Sequence, residues 1–285
     1  MIVRDYCIDD LSRIEEMNAF CAVSIRFHGD IRPENVLCAV NEKGDIVGVG
    51  YLKISETGAR CMLEVSTFAD EAHAGDLAIE GMLVDGFNRR IREIKRMMPE
   101  KDVYLRSLCE ADEIDRIQLF MERGFRLHAV IPVMKRDLSK KTQHYKIPDN
   151  VQIKELSFTD DEIIKYVNAD LMTGEDPQSR AEVRFKSGHP SFKCFAAMCD
   201  SEVVGATSVW DISDERAATE HIFVVESYRR KNIAKELIAT ALHELRRRGR
   251  KIATLCVRGT NMPAIKLYLS CGYTLYYNLI ELRDE

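Results

Sequence analysis

Three cationic side chains, at residues 229–231, stand immediately before an apolar helical pattern that begins at Ile233. The first turn of a helix carries partial positive charge and unpaired N–H groups, so each cation there is disfavoured by about 0.3–1 kcal/mol. A bound diphosphate would satisfy both the N–H groups and the side-chain charges. Asn232 tolerates a positive φ, and Ala234 is small enough for phosphate oxygens to approach the backbone. We therefore predict an anion-binding turn, with a solvated basic turn capped by Asn232 as the alternative.

A second group of residues follows between positions 261 and 273. Asn261 can cap a helix, and Pro263 suits the first turn of that helix. Spacings of four and three put Ala264, Tyr268 and Cys271 on one helix face, so Tyr268 points where Ala264 points. The alternatives are a plain cap for Asn261 and a core aromatic for Tyr268.

A sheet and a helix must position the basic turn. The residues that lead into the turn read as a strand, and apolar residues then recur at helical spacing from Ile233 to Leu245. A further strand follows at residues 252–257, so the order strand, helix, strand predicts a parallel crossover. The pattern is typical of a mixed α/β domain.

The chain carries this pattern twice. Residues 2–10 and 151–161 open alike, and the two halves end in Gly124-Phe125 and Gly272-Tyr273, where each Gly suits the end of a helix. A polar stretch closed by Pro148 lies between the copies. We predict a first domain over residues 1–140, a linker over 141–150 and a second domain over 151–285.

The two groups of residues resemble two motifs of the GNAT acetyltransferase superfamily. Arg229-x-x-Asn232-x-Ala234 is similar to motif A, Gln/Arg-x-x-Gly-x-Gly/Ala, with Asn in the usual Gly position, and residues 261–273 are similar to motif B. The resemblance implies an α/β (α+β) fold of two tandem domains, each a mixed, mostly antiparallel sheet flanked by helices. It also implies acetyl-CoA as cosubstrate, with its pyrophosphate on the amides of about residues 230–234. The cofactor-binding residues would be Phe223, Val224, Val225, Arg229, Arg230, Lys231, Asn232, Ile233, Ala234 and Asn261.

The resemblance implies roles for the reacting groups as well. Backbone N–H groups of residues 223–225 would bind the thioester carbonyl and the pantetheine. Tyr268 would be the general acid, and donation from a phenol to a thiolate is uphill by about 2 kcal/mol. As base we favour Glu220, four residues before Val224, directly or through a water, with an exposed strand-edge Glu as the alternative. Simple alternation turns His221 to the opposite face, although a bulge would change which residue faces the substrate.

The cysteines support no other chemistry. Nine Cys residues include no C-x-x-C pair, and Cys194 and Cys199 lack partners at zinc-ligand spacing, so we expect reduced thiols and no metal. A covalent route through Cys256 or Cys271 is the weaker alternative to direct attack. Neither has a nearby His in sequence, so we expect both thiols to be buried.

The first copy lacks the reacting groups. Aligning the two Gly-aromatic endings puts Phe120 opposite Tyr268, Arg116 opposite Ala264 and Glu113 opposite Asn261. Its helix start, residues 69–77, is acidic, which repels a diphosphate, so we predict that the first copy binds no CoA. This division is similar to tandem members of the superfamily, mycothiol synthase among them, in which one half is degenerate.

These features predict an acetyl-CoA-dependent N-acetyltransferase. It would act on a primary amine of a small molecule, by direct attack in a ternary complex. The alternative is a non-catalytic acyl-CoA-binding regulatory protein, which would keep the phosphate site without needing Tyr268. Glu175 and Asp176 could attract a cationic amine to the polar loop at residues 173–180, with a solvated polar loop as an alternative of at least the same weight.

Composition argues against other classes of protein. The net charge of −5, from 41 Lys and Arg against 46 Asp and Glu, disfavours nucleic-acid binding, and the basic residues 246–251 complement a helix C-terminus. No 18 apolar residues run together, and residues 1–5 do not open a leader segment. We expect a cytoplasmic protein, monomer or homodimer, without a membrane partner.

Overall fold

The computed structural model of the protein describes residues 1–18, 21–22, 25–26, 31–173 and 177–284. The chain forms two compact units: unit 1 comprises Met1–Val130 and Leu279–Glu285, and unit 2 comprises Ile131–Asn278. The stretch predicted as a linker, 141–150, is thus counted with unit 2 by its contacts. The division into domains at 1–140 and 151–285 stays a prediction.

Unit 1 is a mixed sheet with helices packed on it. Its sheet has the order β1-β2-β3-β4-β5-β12, in which only β4 and β5 run parallel among these pairs. The strands are β1 (Ile2–Asp5), β2 (Val36–Val40), β3 (Ile46–Thr57), β4 (Arg60–Ala69), β5 (Asp102–Glu110) and the end of β12 (Thr274–Asp284). The helices that the structure describes from end to end are α1 (Leu11–Met17), α2 (Leu77–Gly86), α3 (Asn88–Met97) and α4 (Ile114–Glu122).

Unit 2 repeats this plan. Its sheet has the order β6-β11-β10-β9-β8-β7, and again one pair, β10 with β11, is parallel while the other described pairs are antiparallel. The strands are β6 (Arg126–Asp137, in this unit from Ile131), β7 (Gln152–Glu155), β8 (Lys193–Cys199), β9 (Glu202–Asp211), β10 (Arg216–Val224) and β11 (Ile252–Cys256). The helices are α5 (Asp160–Leu171), α6 (Arg180–Ser187), α7 (Ile233–Arg247) and α8 (Met262–Ser270). The predicted fold class, tandem mixed sheets flanked by helices, is confirmed.

The two faces of the unit 2 sheet carry different helices. Val224 packs in a buried cluster with α7 residues such as Leu237, whereas Phe223 packs with α5 residues such as Tyr166. Because successive side chains of a strand point to opposite faces, α7 and α5 lie on opposite sides of the sheet. The end of β10 is therefore sandwiched between two helices.

A β-bulge interrupts β10 just before that end. Glu220 pairs with Ser208 and Phe223 with Ala206, so three steps along β10 oppose two steps along β9. His221, inside the bulge, has a φ of 48°, a left-handed conformation that is uncommon for a residue other than glycine. Bulges re-aim side chains and are frequent beside active sites.

Candidate active site

The chain between β10 and α7 forms a turn of exposed residues. After a single 3₁₀ turn, Glu226–Tyr228, both Arg230 and Asn232 adopt left-handed φ angles, of 60° and 61°. The Asn232 side chain makes no capping hydrogen bond, so the capping role that the alternative gave to Asn232 is wrong, whereas residues 229–232 are exposed, as a solvated basic turn would be. Within the described part of the chain, the backbone N–H groups of residues 230–235 donate to no protein acceptor. Successive free N–H groups at the positive end of a helix form a nest for anions.

The cations of this turn are held in place without carboxylate partners. Arg229 donates from Nε to the Val224 carbonyl at 3.0 Å, and the Lys231 ammonium lies 5.0 Å from the centroid of the Tyr228 ring. Among the ion pairs of the described residues, none involves Arg229, Arg230 or Lys231. The turn therefore carries unbalanced positive charge next to free N–H groups.

The gap between β10 and β11 opens beside the turn. The parallel pairing of the two strands ends at Ala218 and Thr254, while β10 continues for six more residues to Val224. The Val225 N–H donates to the Val204 carbonyl of β9 at 2.9 Å, so it is not free for a ligand. Because N–H groups alternate along a strand, the Val224 N–H points away from β9 and into the gap.

The helix after β11 carries the second group of predicted site residues. Asn261 is the N-cap of α8, and its side-chain oxygen accepts from the Ala264 N–H at 3.1 Å. Tyr268 is buried, with 7% of the residue exposed, and belongs to the same cluster as Val224 and Ile233. Tyr268 is therefore a core residue of this cluster, and its ring centroid lies 6.1 Å from that of Tyr273.

Glu220 is engaged on the opposite side of the sheet, toward α6. Its Oε1 accepts from the Trp210 Nε1–H at 2.8 Å, and its Oε2 lies 3.4 Å from the Lys186 ammonium. About a third of the Glu220 side chain, 33%, is exposed. The predicted base thus has a partner on each carboxylate oxygen.

The bulge brings His221 to the same face as Glu220, so simple alternation gave the wrong face. The His221 ring lies 5.6 Å from the Phe223 ring and 6.2 Å from the Tyr166 ring, both on the α5 side. The His221 Nε2 atom lies 2.6 Å from Oδ2 of Asp170. Bulge geometry depends on strand pairing, which a single strand's sequence does not specify.

Asp170 contacts the candidate site residue His221, and sequence reasoning did not single it out. It lies at the end of α5, where 0% of it is exposed, and its Oδ2 also accepts from the Gln178 N–H at 2.8 Å. Its Oδ1 is buried without a partner among the described residues. A signal was present, because Asp170 follows Ile163, Tyr166 and Val167 at the spacing of one apolar helix face. A carboxylate on such a face requires a partner.

The cysteines differ in part from expectation. All nine are free, and Cys256 lies exposed at the end of β11 instead of buried. Desolvation and the negative charge of Glu220 both raise the pKa of the Cys256 thiol. Among the described residues no group of His, Cys, Asp and Glu side chains is placed to hold a metal ion. Glu175 and Asp176 lie outside the described residues.

The equivalent positions of unit 1 are filled by protein. Arg116, opposite Ala264, places Nε 3.0 Å from Glu80 Oε2 and donates to the Thr67 carbonyl at 3.1 Å. The α2 helix is capped by its own Asp76, whose carboxylate accepts from the Ala78 N–H. Unit 1 therefore offers no free helix start at these positions. The pairing of β4 with β5 ends at Glu64 and Arg106, and beyond that point Arg116 donates to the Thr67 carbonyl of β4.

None of the described helices combines the length and the apolarity that crossing a bilayer requires.

Comparison with known families and curated proteins identifies relatives of the second unit. Residues 160–273 match the family described as Acetyltransferase (GNAT) family. Streptothricin acetyltransferase of Escherichia coli is 34% identical over 82 residues, which are 29% of this chain and 47% of that protein. The match thus spans about half the length of the curated relative.

Solved structures resemble the whole chain. A GCN5-related N-acetyltransferase from Sphaerobacter thermophilus superposes with a TM-score of 0.73 at 16% identity, over 99% of this chain and 94% of that one. A tandem GNAT protein from the clavulanic acid biosynthesis pathway gives a TM-score of 0.67 at 14% identity, over 92% of this chain and 86% of that one. At such identities the likeness shows the fold, a tandem GNAT fold.

Proposed function

We propose that this chain, whose residues 160–273 match the acetyltransferase (GNAT) family, transfers an acetyl group from acetyl-CoA to a primary amine of a small molecule. The acceptor would attack the thioester directly in a ternary complex. The match to a streptothricin acetyltransferase supports acetyl transfer as the reaction class. The nine free cysteines suit a reducing cytoplasm, where we expect a monomer or homodimer.

The observation that carries the proposal is the nest at the start of α7. Six consecutive N–H groups, those of residues 230–235, have no protein acceptor in the described chain, and the same turn carries three cations without carboxylate partners among the described residues. A pyrophosphate fits this site because it is doubly charged and accepts many hydrogen bonds. Acetyl-CoA would lay this group on residues 229–234, with the Asn261-capped helix at the other side of the gap.

The reaction needs three groups, and unit 2 supplies a candidate for each. The Val224 N–H, directed into the gap, would stabilise the oxyanion of the thioester carbonyl. Tyr268 would protonate the leaving sulfur. A base on the bulged end of β10 would deprotonate the acceptor, and Glu220 is the residue predicted from the sequence for that role.

Direct attack suits this site better than an acyl-cysteine intermediate. A nucleophilic cysteine needs a lowered thiol pKa, usually from a nearby cation or His. Desolvation and the negative charge of Glu220 instead raise the pKa of the Cys256 thiol. The Cys256 thiol would therefore stay protonated near neutral pH and attack slowly.

Titration with acetyl-CoA, followed by an amine screen, tests the proposal. Calorimetry measures acetyl-CoA binding, and mass spectrometry of the acetylated amine is the better activity readout, since the exposed Cys7 and Cys256 would react with a thiol reagent. We expect saturable binding and amine-dependent product. Binding without product from any amine would favour the acyl-CoA-binding regulatory protein, and no binding at millimolar acetyl-CoA would contradict both functions.

A further inference from the structure

Asp170, which is buried, and His221, which is partly buried, form a carboxylate–imidazole pair beside Glu220. The His221 side chain is 19% exposed and its Nε2 lies 2.6 Å from an Asp170 carboxylate that is 0% exposed. The two residues come from different elements, α5 and the bulge of β10, and lie 51 positions apart in sequence. A fully buried carboxylate persists only where partners hold it, so this contact is a specific feature of unit 2.

We propose that His221, oriented by Asp170, is the general base that removes the proton from the acceptor amine. The proposal rests on the acetyl transfer proposed above and reassigns the base from Glu220 to its neighbour. His221 would touch the acceptor and act as a catalytic residue, whereas Asp170 would act through His221 as a positioning residue.

The contact with Asp170 selects one imidazole tautomer. A carboxylate only accepts, so Nε2 carries the proton and Nδ1 keeps its lone pair. In the described chain no protein group hydrogen bonds to Nδ1 of His221, whereas Nε2 is committed to Asp170. The nitrogen with the lone pair is thus the one left for a ligand, as a general base requires.

The bulge turns the His221 ring to the α5 side of the sheet, which is the side where the proposal places the acceptor amine. Without it, alternation would turn the residue after Glu220 toward α7. The φ of 48° at His221 is a backbone conformation that most residues avoid. Such strain is retained where the surrounding structure and a function require it.

Glu220 is less suited to the role of base. Its two oxygens are engaged by the Trp210 indole N–H and by the Lys186 ammonium. The oxygens that would have to accept the proton of the acceptor amine are therefore already in contact with protein donors. Glu220 is better placed to anchor the acceptor side of β10 through Trp210.

Other groups near His221 do not compete for the proton. The Tyr166 hydroxyl donates to the Gln178 side chain at 2.9 Å, and burial raises the pKa of Tyr166 well above its ordinary value. Tyr166 therefore stays neutral across the working pH range. Within the ranges that the structure describes, the charged groups that face the imidazole are the Asp170 carboxylate and, one residue away, Glu220 with its Lys186 partner.

The proton count of the proposed step balances. Nδ1 of His221 takes one proton from the acceptor ammonium and passes it to solvent, which leaves a neutral amine. The nitrogen of the acceptor amine then bonds to the thioester carbon as the C–S bond breaks, and Tyr268 protonates the departing sulfur. The proton lost from the new amide nitrogen restores the Tyr268 hydroxyl through solvent. The sum is an ammonium and a thioester in, and an amide, a thiol and one proton out.

Three substitutions test the assignment. His221→Asn removes the base while keeping a residue type that accepts a positive φ. Asp170→Asn keeps the shape of the positioning residue but not its charge, and Glu220→Gln is the matched control on the same strand. Each variant is first checked for its melting temperature and for acetyl-CoA affinity by calorimetry.

For His221→Asn we expect kcat to fall by about 10²–10⁴-fold near neutral pH with acetyl-CoA affinity unchanged, as for removal of a general base. The loss should shrink as pH rises toward the pKa of the acceptor amine, because a free amine needs no base. Asp170→Asn should show the same change of pH profile with a smaller loss. Glu220→Gln should act mainly on the KM of the acceptor and leave the shape of the pH profile intact.

Chemical rescue covers the case of a folding defect. His221→Gly relieves the backbone strain and leaves a space for free imidazole, which should restore activity in proportion to its concentration. No rescue in a folded variant, or a greater kcat loss in Glu220→Gln than in His221→Asn, would overturn the proposal. Failure of the proposed function looks different, since the wild-type protein would then acetylate no amine.

Discussion

The two units share a fold and differ at the end of one strand. In unit 1, β3 and β4 pair without interruption from Gly48–Ala69 to Thr57–Arg60. In unit 2 the corresponding strands β9 and β10 are interrupted by the bulge that holds His221. The bulge, one extra residue in β10, is therefore the difference between a regular strand and a strand that presents an imidazole. The alternation of apolar and polar residues along a strand does not reveal such a bulge.

The helix starts differ in the same sense. Asp76 caps α2 with its carboxylate, whereas Asn232, the N-cap of α7, has a φ of 61° and leaves the first N–H groups free. A carboxylate supplies within the protein the negative charge that a ligand would bring. In unit 1 the N–H groups at the start of α2 thus have acceptors within the protein, whereas in unit 2 those at the start of α7 are left for a ligand.

The comparison indicates where unit 2 gives up stability for a site. His221, Arg230 and Asn232 all adopt left-handed φ angles, and each such residue costs of order 1–3 kcal/mol when strained. Unit 1 fills the equivalent space with Arg116 and Glu80. The experiments below either break or sharpen this contrast.

The largest effect is expected in unit 1, from Arg116→Ala. The side chains of Arg116 and Glu80 are 17% and 12% exposed, and the Thr67 hydroxyl donates to Glu80 at 2.6 Å. Loss of the guanidinium leaves a carboxylate buried without its charge partner, which costs about 3–5 kcal/mol. Denaturant unfolding measures the loss. The double variant Arg116→Met with Glu80→Gln should recover most of it, and a loss below about 1 kcal/mol for Arg116→Ala would contradict a structural role.

The next largest effect is expected from exchanging the aromatic residues at equivalent positions of the two units, Tyr268 and Phe120. Tyr268→Phe should lower kcat by about 10²–10³-fold with acetyl-CoA affinity unchanged, because only the proton donor is lost. The reciprocal change, Phe120→Tyr in unit 1, should leave kcat unchanged, since Arg116 and Glu80 fill the gap there. Steady-state kinetics decide between these results. Equal rates for wild-type and Tyr268→Phe would remove the acid role.

Much of the fold and part of the site followed from the sequence. The repeat, the helix over 233–247 and the suitability of Asn232 for a left-handed φ could be predicted because they depend on residues close together in the chain. Asp170 and the true direction of His221 were not, because they depend on α5 meeting a bulge set by the pairing of β10 with β9. The Val225 N–H likewise has a β9 partner that local sequence does not reveal.

Each unit contains one carboxylate with a lowered pKa, so the stability of the two units should respond to acid in a comparable way. Hydrogen bonds from Arg247 and Arg248 lower the pKa of Glu244 in unit 2 to about 2, despite desolvation, and Arg4 lowers the pKa of Asp10 in unit 1 to about 2. A carboxyl whose folded pKa lies below its unfolded pKa stabilises the fold above the unfolded value, about 4, and that stabilisation is lost as pH falls toward 2.

Glu244→Gln and Asp10→Asn should therefore each lower the free energy of unfolding by about 2 kcal/mol at pH 7. The difference from wild type should vanish between about pH 4 and pH 2, where the wild-type carboxyl is itself protonated. Denaturant titrations across this pH range measure it. A difference that persists unchanged at pH 2 would mean that packing, not charge, is what the substitutions remove.

The smallest effect concerns the two helix starts. Asn232→Asp keeps the shape of the side chain and a residue type that accepts a positive φ, but it adds a negative charge to the nest. We expect acetyl-CoA affinity to fall about tenfold, which is about 1.4 kcal/mol, through repulsion of the pyrophosphate. Asn232→Gly is the matched control, since it keeps the turn without the charge, and its affinity should stay within a few-fold of wild type. If Asn232→Asp and Asn232→Gly weaken binding equally, the turn acts through its shape and not through its charge.

The corresponding change in unit 1 is Asp76→Asn, which keeps a capping residue. It should change neither stability nor acetyl-CoA binding.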